Sequence, residues 1–241
     1  MTVRLPALAA IALVTSLGAT PSRPGVGRDP VEARTVAIGR SVSGRPIIAI
    51  ERGDPDNPKK ALVVGCIHGN ERAGIAIAKY LLRSELPAET DLWIVPSLNP
   101  DGAARRIRGN ARGVDLNRNF PFRWRRLGGA FYSGPRPLSE PESRSAYRLI
   151  RRLRPAVSIW FHQHLDLVDA SGGDLRVERR FASLAGLRLF RLAPRPGAAT
   201  RSENHELPGT TAFVVELPAG ALAPAAVRRL GLATIAVTAG G

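Results

Sequence analysis

Cysteine is almost missing from this chain. Cys66 is the only one, so no intrachain disulfide can form. It sits inside an apolar run, where a thiol behaves as a small buried hydrophobe and a packing role is favoured over a metal role. Lysine is nearly as scarce: Lys59, Lys60 and Lys79 are the whole supply, yet the formal net charge is +15. The cations are therefore almost all arginine, a bias that a GC-rich coding sequence produces without any selection for a partner. No nucleic-acid recognition motif accompanies the charge, and no aromatic platform for bases, so nucleic acid is not the expected partner. The charge would still help the protein dwell near anionic wall polymers. Internal repeats are absent. The apolar stretch from Leu5 to Leu17 falls short of the ~20 residues that a stable membrane span needs.

What that stretch resembles is an export signal. Arg4 gives it a basic start, and the small residues Ser16, Gly18 and Ala19 supply a cleavage region. Residues 1–19 are read as the signal and 20–33, rich in Pro, Gly and Arg, as a flexible spacer. Residues 34–241 then form one domain, a size that a single sheet can organise.

Within that domain, extended segments alternate with helical ones. Residues 34–50 alternate in character around Ser43-Gly44-Arg45-Pro46, a hairpin signal. Apolar runs at 61–67, 92–95, 156–161 and 211–217 read as core strands. Helical spacing is expected over 72–83, 140–153 and 224–237, and Asn99-Pro100-Asp101-Gly102 is a turn signal. Residues 103–137 show little periodicity and read as a long, ordered functional loop. The pattern implies an α/β fold with a mixed, largely parallel central sheet and helices on both faces.

The polar residues of interest gather where those strands end, the usual place for a site in an open α/β sheet. His68 and Glu71 follow the run 61–67. His162 follows the apolar run 156–161, with His164 two residues on as an alternative. A catalytic zinc needs about three protein ligands and an open position, and His68, Glu71 and one of these histidines would supply them. Glu216 ends the apolar run Ala212–Val215, an expensive place for an unpaired charge. Beside a metal it could act as a general base. The segment Arg112 to Pro121 combines planar hydrogen-bonders with arginine, which suits a carboxylate grip.

These pieces, taken together and in order, resemble the zinc carboxypeptidase (carboxypeptidase A-like) family. The resemblance rests on H-x-x-E at 68–71, N-P-D-G at 99–102, G-V-D-L-N-R-N-F-P at 113–121, S-E-P-E at 139–142, His162 and Glu216. The wording R-G-N-A-R-G-V-D-L-N-R-N-F-P and the small size are most like the murein peptide amidase branch, which cuts the γ-D-glutamyl–diaminopimelate bond of cell-wall peptides. The resemblance implies an α/β/α sandwich and a single zinc ion held by His68, Glu71 and His162, with Asp115 orienting His68. It further implies that Asn117 and Arg118 bind a substrate carboxylate, that Arg108 (less well matched by Arg106) stabilises the oxyanion, and that Glu216 is the base. The enzyme it implies is an exported metallopeptidase acting on a peptide or muropeptide. It would be a monomer, secreted or wall-associated, without stable membrane insertion after signal cleavage and without a nucleic-acid partner.

Two features depart from the family. Its carboxypeptidases carry a tyrosine upstream of the catalytic glutamate, whereas the tyrosines here are Tyr80, Tyr132 and Tyr147, all far from that region. Arg201, Glu203, Asn204 and His205 stand there instead, which points to a polar substrate. Secondly, an acidic stretch from Asp166 to Asp174 follows the strand-end histidines, readable either as a solvated loop or as a seat for a substrate amine. The alternatives in substrate are an ordinary metallocarboxypeptidase and an acyl-amino-acid deacylase. The alternative in class is a non-catalytic wall-binding module on the same fold.

Overall fold

The computed structural model describes Met1 and residues 33–239, so the export segment and nearly all of the spacer lie outside the described residues. Among the described residues, eight strands form one mixed sheet: β1 (Arg34–Arg40), β2 (Pro46–Gly53), β3 (Lys60–Val64), β4 (Asp91–Val95), β5 (Val157–Gln163), β6 (Leu167–Asp169), β7 (Arg188–Phe190) and β8 (Thr211–Leu217). Their spatial order is β1-β2-β4-β3-β5-β8-β6-β7. The central four, β4-β3-β5-β8, run parallel, and antiparallel pairings join β1 to β2, β2 to β4 and β6 to β8.

Alternation along the parallel strands sorts their side chains between two cores. Val63, Ile159, Phe161, Phe213 and Val215 face one core, which α1 (Gly74–Leu81), α4 (Leu175–Ala185) and α6 (Pro224–Thr238) cover. Leu62, Val64, Trp160 and Val214 face the other, under α3 (Pro141–Leu153), α5 (Ala199–Glu206) and the segment around Leu116 and Phe120. Because the period is two, His162 shares a face with Trp160, and Glu216 with Val214. Among the described residues, no helix is long and apolar enough to cross a membrane.

Local structure differs from the sequence expectation in three places. The Asn99–Gly102 turn signal opens a helix, α2 (Pro100–Arg105), with Asn99 as the N-cap accepting from the Gly102 amide at 2.9 Å and proline in the first turn. The expected loop over 103–137 holds the end of α2 and two single turns of 3-10 helix, Leu116–Arg118 and Gly129–Phe131. The region 166–206, which the apolar pattern left unassigned, contains β6, α4, β7 and α5. The segment before Glu216 is accordingly a helix rather than a loop. Glu203 is buried on Ser158 and Trp160, and Asn204 pairs with both backbone groups of Ala212.

Candidate active site

Three neighbouring parallel strands deliver the candidate ligands. β3 leads into His68 and Glu71, β5 carries His162, and β8 places Glu216 directly opposite His162 in register. The turn after β3 is held by a close approach: a Cβ on Gly69 would lie 1.9 Å from the Gly102 carbonyl carbon. Only glycine lets the His68–Glu71 turn pack against α2. The same contact fixes the backbone of Arg108, whose carbonyl accepts from the Gly69 amide at 3.3 Å and from Asn99 Nδ2 at 3.3 Å.

His68 Nδ1, His162 Nδ1 and Glu71 Oε2 converge. Each nitrogen is 2.9 Å from the carboxylate oxygen, and the two nitrogens are 3.1 Å apart. All three residues are buried, whereas His164 is exposed and outside the group. On its other edge, His68 Nε2 lies 2.8 Å from Asp115 Oδ1. Asp115 can only accept, so it fixes the proton on Nε2 and leaves a lone pair on Nδ1 facing the cluster. Protons alone satisfy this arrangement poorly. Hydrogen-bonding both imidazoles to Glu71 would put a second proton on His68 and set two N–H groups against each other at 3.1 Å. A cation at roughly 2 Å from each ligand atom removes that conflict, and a two-histidine, one-carboxylate set is chemistry that zinc accepts. The residues present fit the metal.

Charge in the cluster is balanced by its neighbours. Burial opposes the Glu71 carboxylate, but His162 and His68 outweigh it and hold the group well below the usual carboxylate range. Asp115 is likewise held low against its burial, by His68, Arg108 and Arg118. Arg108 spans the two acids, donating from NH1 to Glu71 Oε1 at 2.7 Å and from Nε to Asp115 Oδ2 at 3.0 Å. Glu216 differs from both. Burial and the nearby Glu71 push its carboxyl above the ordinary value, and its buried Oε2 has no hydrogen-bond partner. An orphaned carboxylate oxygen is costly to keep, and it belongs where a substrate or water proton completes it.

Asn117 and Arg118 line the same cavity. The Asn117 backbone amide donates to Asp115 Oδ1, its side-chain Oδ1 accepts from the Ala199 amide, and its Nδ2 lies 3.4 Å from His162 Nε2, a long contact that leaves one of its two N–H groups facing the cavity. Arg118 is buried and anchored by NH1 on the Asn117 carbonyl at 2.6 Å. The structure thus gathers His68, Glu71, His162, Arg108, Asn117, Arg118 and Glu216 around a cavity of about 380 Å³, with Asp115 buried behind His68. Arg106 is exposed at the C-cap of α2 and takes no part in these contacts. The S-E-P-E segment acts at a distance: Glu140 and Glu142 accept from Asn110, while Ser139 and Ser143 bond the side chain of Asn119, so the loop before α3 is braced.

Two residues of the site had no signal in the sequence. Gln163 donates its amide to Glu71 Oε2 and accepts from the Ala73 amide, tying the end of β5 to the start of α1. Phe131 lies under both site arginines, 5.4 Å from the Arg108 guanidinium and 5.5 Å from that of Arg118.

A sequence profile described as zinc carboxypeptidase matches residues 26–168. The chain belongs to the zinc carboxypeptidase family. Murein peptide amidase A of Escherichia coli (strain K12) is 31% identical over 164 residues, covering 62% of this chain and 67% of that protein. The human carboxypeptidase N catalytic chain is 31% identical over 174 residues, or 55% and 38% of the two chains. Among solved structures, the murein-tripeptide amidase of Escherichia coli O157 superposes with a TM-score of 0.72 at 27% identity, covering 92% of this chain and 98% of that one. Carboxypeptidase A of Helicoverpa armigera gives the same TM-score at 20% identity over 86% and 68%, a likeness of fold. This zinc carboxypeptidase is therefore a metallopeptidase, an enzyme with peptidase or amidase activity.

Proposed function

We propose that the enzyme hydrolyses an amide in short wall peptides with a free carboxylate, at the γ-D-glutamyl–diaminopimelate bond, using a single zinc held by His68, Glu71 and His162. The observation that carries the reading is the orphaned Glu216 Oε2 beside three converged ligand atoms, in a cavity that Arg108 and Arg118 also line. Zinc bound there would polarise the amide carbonyl and lower the pKa of the attacking water. Glu216 takes the proton that water gives up as its oxygen bonds the carbonyl carbon. It then delivers that proton to the leaving nitrogen as the C–N bond breaks. Arg108 keeps N–H groups beyond those given to Glu71 and Asp115, and these meet the developing oxyanion. Asn117 Nδ2 and Arg118 hold the substrate carboxylate and so fix which amide reaches Glu216.

The murein substrate is supported by the names of two relatives, murein peptide amidase A and murein-tripeptide amidase. It is also supported by a cavity lined by arginines and Asp169 and by no tyrosine. The reading carries with it export through residues 1–19 and action on wall material. Mass spectrometry of products from L-alanyl-γ-D-glutamyl-diaminopimelate, run beside an α-linked peptide ending in an aromatic residue, tests it. Release of diaminopimelate at least ~10²-fold faster is expected. Faster release of the aromatic residue would make the enzyme an ordinary carboxypeptidase.

A further inference from the structure

A second cavity of about 280 Å³ adjoins the catalytic one, and Arg195 and Arg201 line both. Arg123 and Arg125 line the second as well, and among the described residues no carboxylate does. Arg201 belongs to α5, and Arg195 to the segment leading into it. Gly197 presses that segment against the substrate-binding loop. It has φ +64°, and a Cβ there would fall 2.2 Å from the Arg118 carbonyl oxygen. The Phe120 amide donates to the Gly197 carbonyl at 3.0 Å, which locks the two segments side by side.

The charges at this junction are not balanced from within. Glu71 and Asp115 are taken by Arg108, and Glu216, which lines the same cavity, is the proposed base. Asp169 accepts from the Leu192 amide at 2.8 Å and from Ser171 Oγ at 3.1 Å. Among the described residues, neither Arg195 nor Arg201 makes a side-chain hydrogen bond or an ion pair. Burial, and after it the neighbouring Arg108 and Arg195, weigh against the Arg118 charge, so Arg195 is within electrostatic reach of the carboxylate grip. Guanidiniums gathered this way repel one another until an anion lies between them, and their fork geometry suits a carboxylate.

We propose that Arg195 and Arg201 form a second anion clamp, which binds a carboxylate the substrate carries in addition to the one held by Asn117 and Arg118. This rests on the proposed amidase reading and deepens it: the preferred substrate is a dicarboxylate. The extra group comes either from the acyl side, as the free α-carboxylate of a γ-glutamyl residue, or from the leaving residue.

Steady-state kinetics on three substrates test the clamp: the tripeptide itself, its analogue with the glutamyl α-carboxylate blocked as an amide, and its analogue with lysine replacing diaminopimelate. The wild-type enzyme should lose at least ~10-fold in kcat/KM, through KM, on one analogue. Which analogue suffers identifies the source of the carboxylate. The double variant Arg195→Gln/Arg201→Gln should bring the ratio between parent and that analogue close to one. Equal wild-type rates on all three, or full discrimination retained by the double variant, would overturn the clamp. If the wild-type enzyme turns over none of them, the amidase reading fails and calorimetry decides the clamp separately. Glutarate should then bind more tightly than butyrate to the wild-type protein and no more tightly to the double variant, whereas equal wild-type affinities would overturn it.

Discussion

His162 and Glu216 are register partners on adjacent parallel strands, β5 and β8. The pairing means that one residue of the ligand cluster and the unpartnered carboxylate are held at a fixed separation by the sheet ladder, not by a mobile loop. Rigid placement of a base next to a reacting centre is worth much of a catalytic rate. Glu216→Gln keeps the shape and removes the base. Metal content should persist while kcat falls roughly 10²–10⁴-fold. Metal analysis and turnover on the same sample check this, and retained turnover would remove Glu216 from the mechanism.

Asp115 joins three parts of the site, accepting from His68, Arg108 and the Asn117 amide. Asp115→Asn leaves an amide whose NH2 group cannot accept, so the His68 tautomer is no longer fixed. Metal affinity should drop about 10–100-fold, read by competition with a chromogenic chelator. An unchanged affinity would show that Glu71 and the sheet orient His68 unaided.

Phe131 is exposed, yet two site arginines lie over its ring. Each such contact is worth ~0.5–1 kcal/mol at an exposed position. Phe131→Ala should therefore lower kcat/KM by ~5-fold or more, with little change in unfolding free energy. A loss of stability without a kinetic effect would make the residue a packing element.

Glu203 sets a pH dependence of folding. Complete burial pushes its carboxyl up to about 7, against the opposing hydrogen bonds from Ser158 and Trp160. In the unfolded chain the same group titrates near its ordinary value, roughly 4.3. Between those values the folded state binds a proton that the unfolded state has released. The contribution is thus full below the unfolded value, declines as pH rises through the window and is lost above about 7. The size is ~4 kcal/mol. Denaturant titrations at several pH values should show this decline in the wild-type protein and a flatter profile in Glu203→Gln. Parallel profiles would contradict it.

Much of this was legible in the chain because strand ends are marked by where apolar runs stop. His68, His162 and Glu216 stand at three such stops, and the sheet makes those stops neighbours. β6 and β7 were not legible, since three-residue strands carry too little periodicity to register, and β7 is largely exposed. The Asn99 signal reads as a turn because an N-cap and a turn use the same residue type for the same reason, a side-chain oxygen serving a nearby amide. Neither Phe131 nor Gln163 stood out. Their positions depend on how a long loop packs over Arg108 and how β5 continues past His162, which no local spacing encodes.

When bound zinc and hydrolysis of the wall tripeptide are measured on one preparation before and after chelation, a single zinc per chain is expected, with loss of turnover on its removal and recovery when zinc is restored. His162→Ala should lack both metal and activity. Turnover that survives in metal-free protein, or in His162→Ala, would contradict the zinc mechanism.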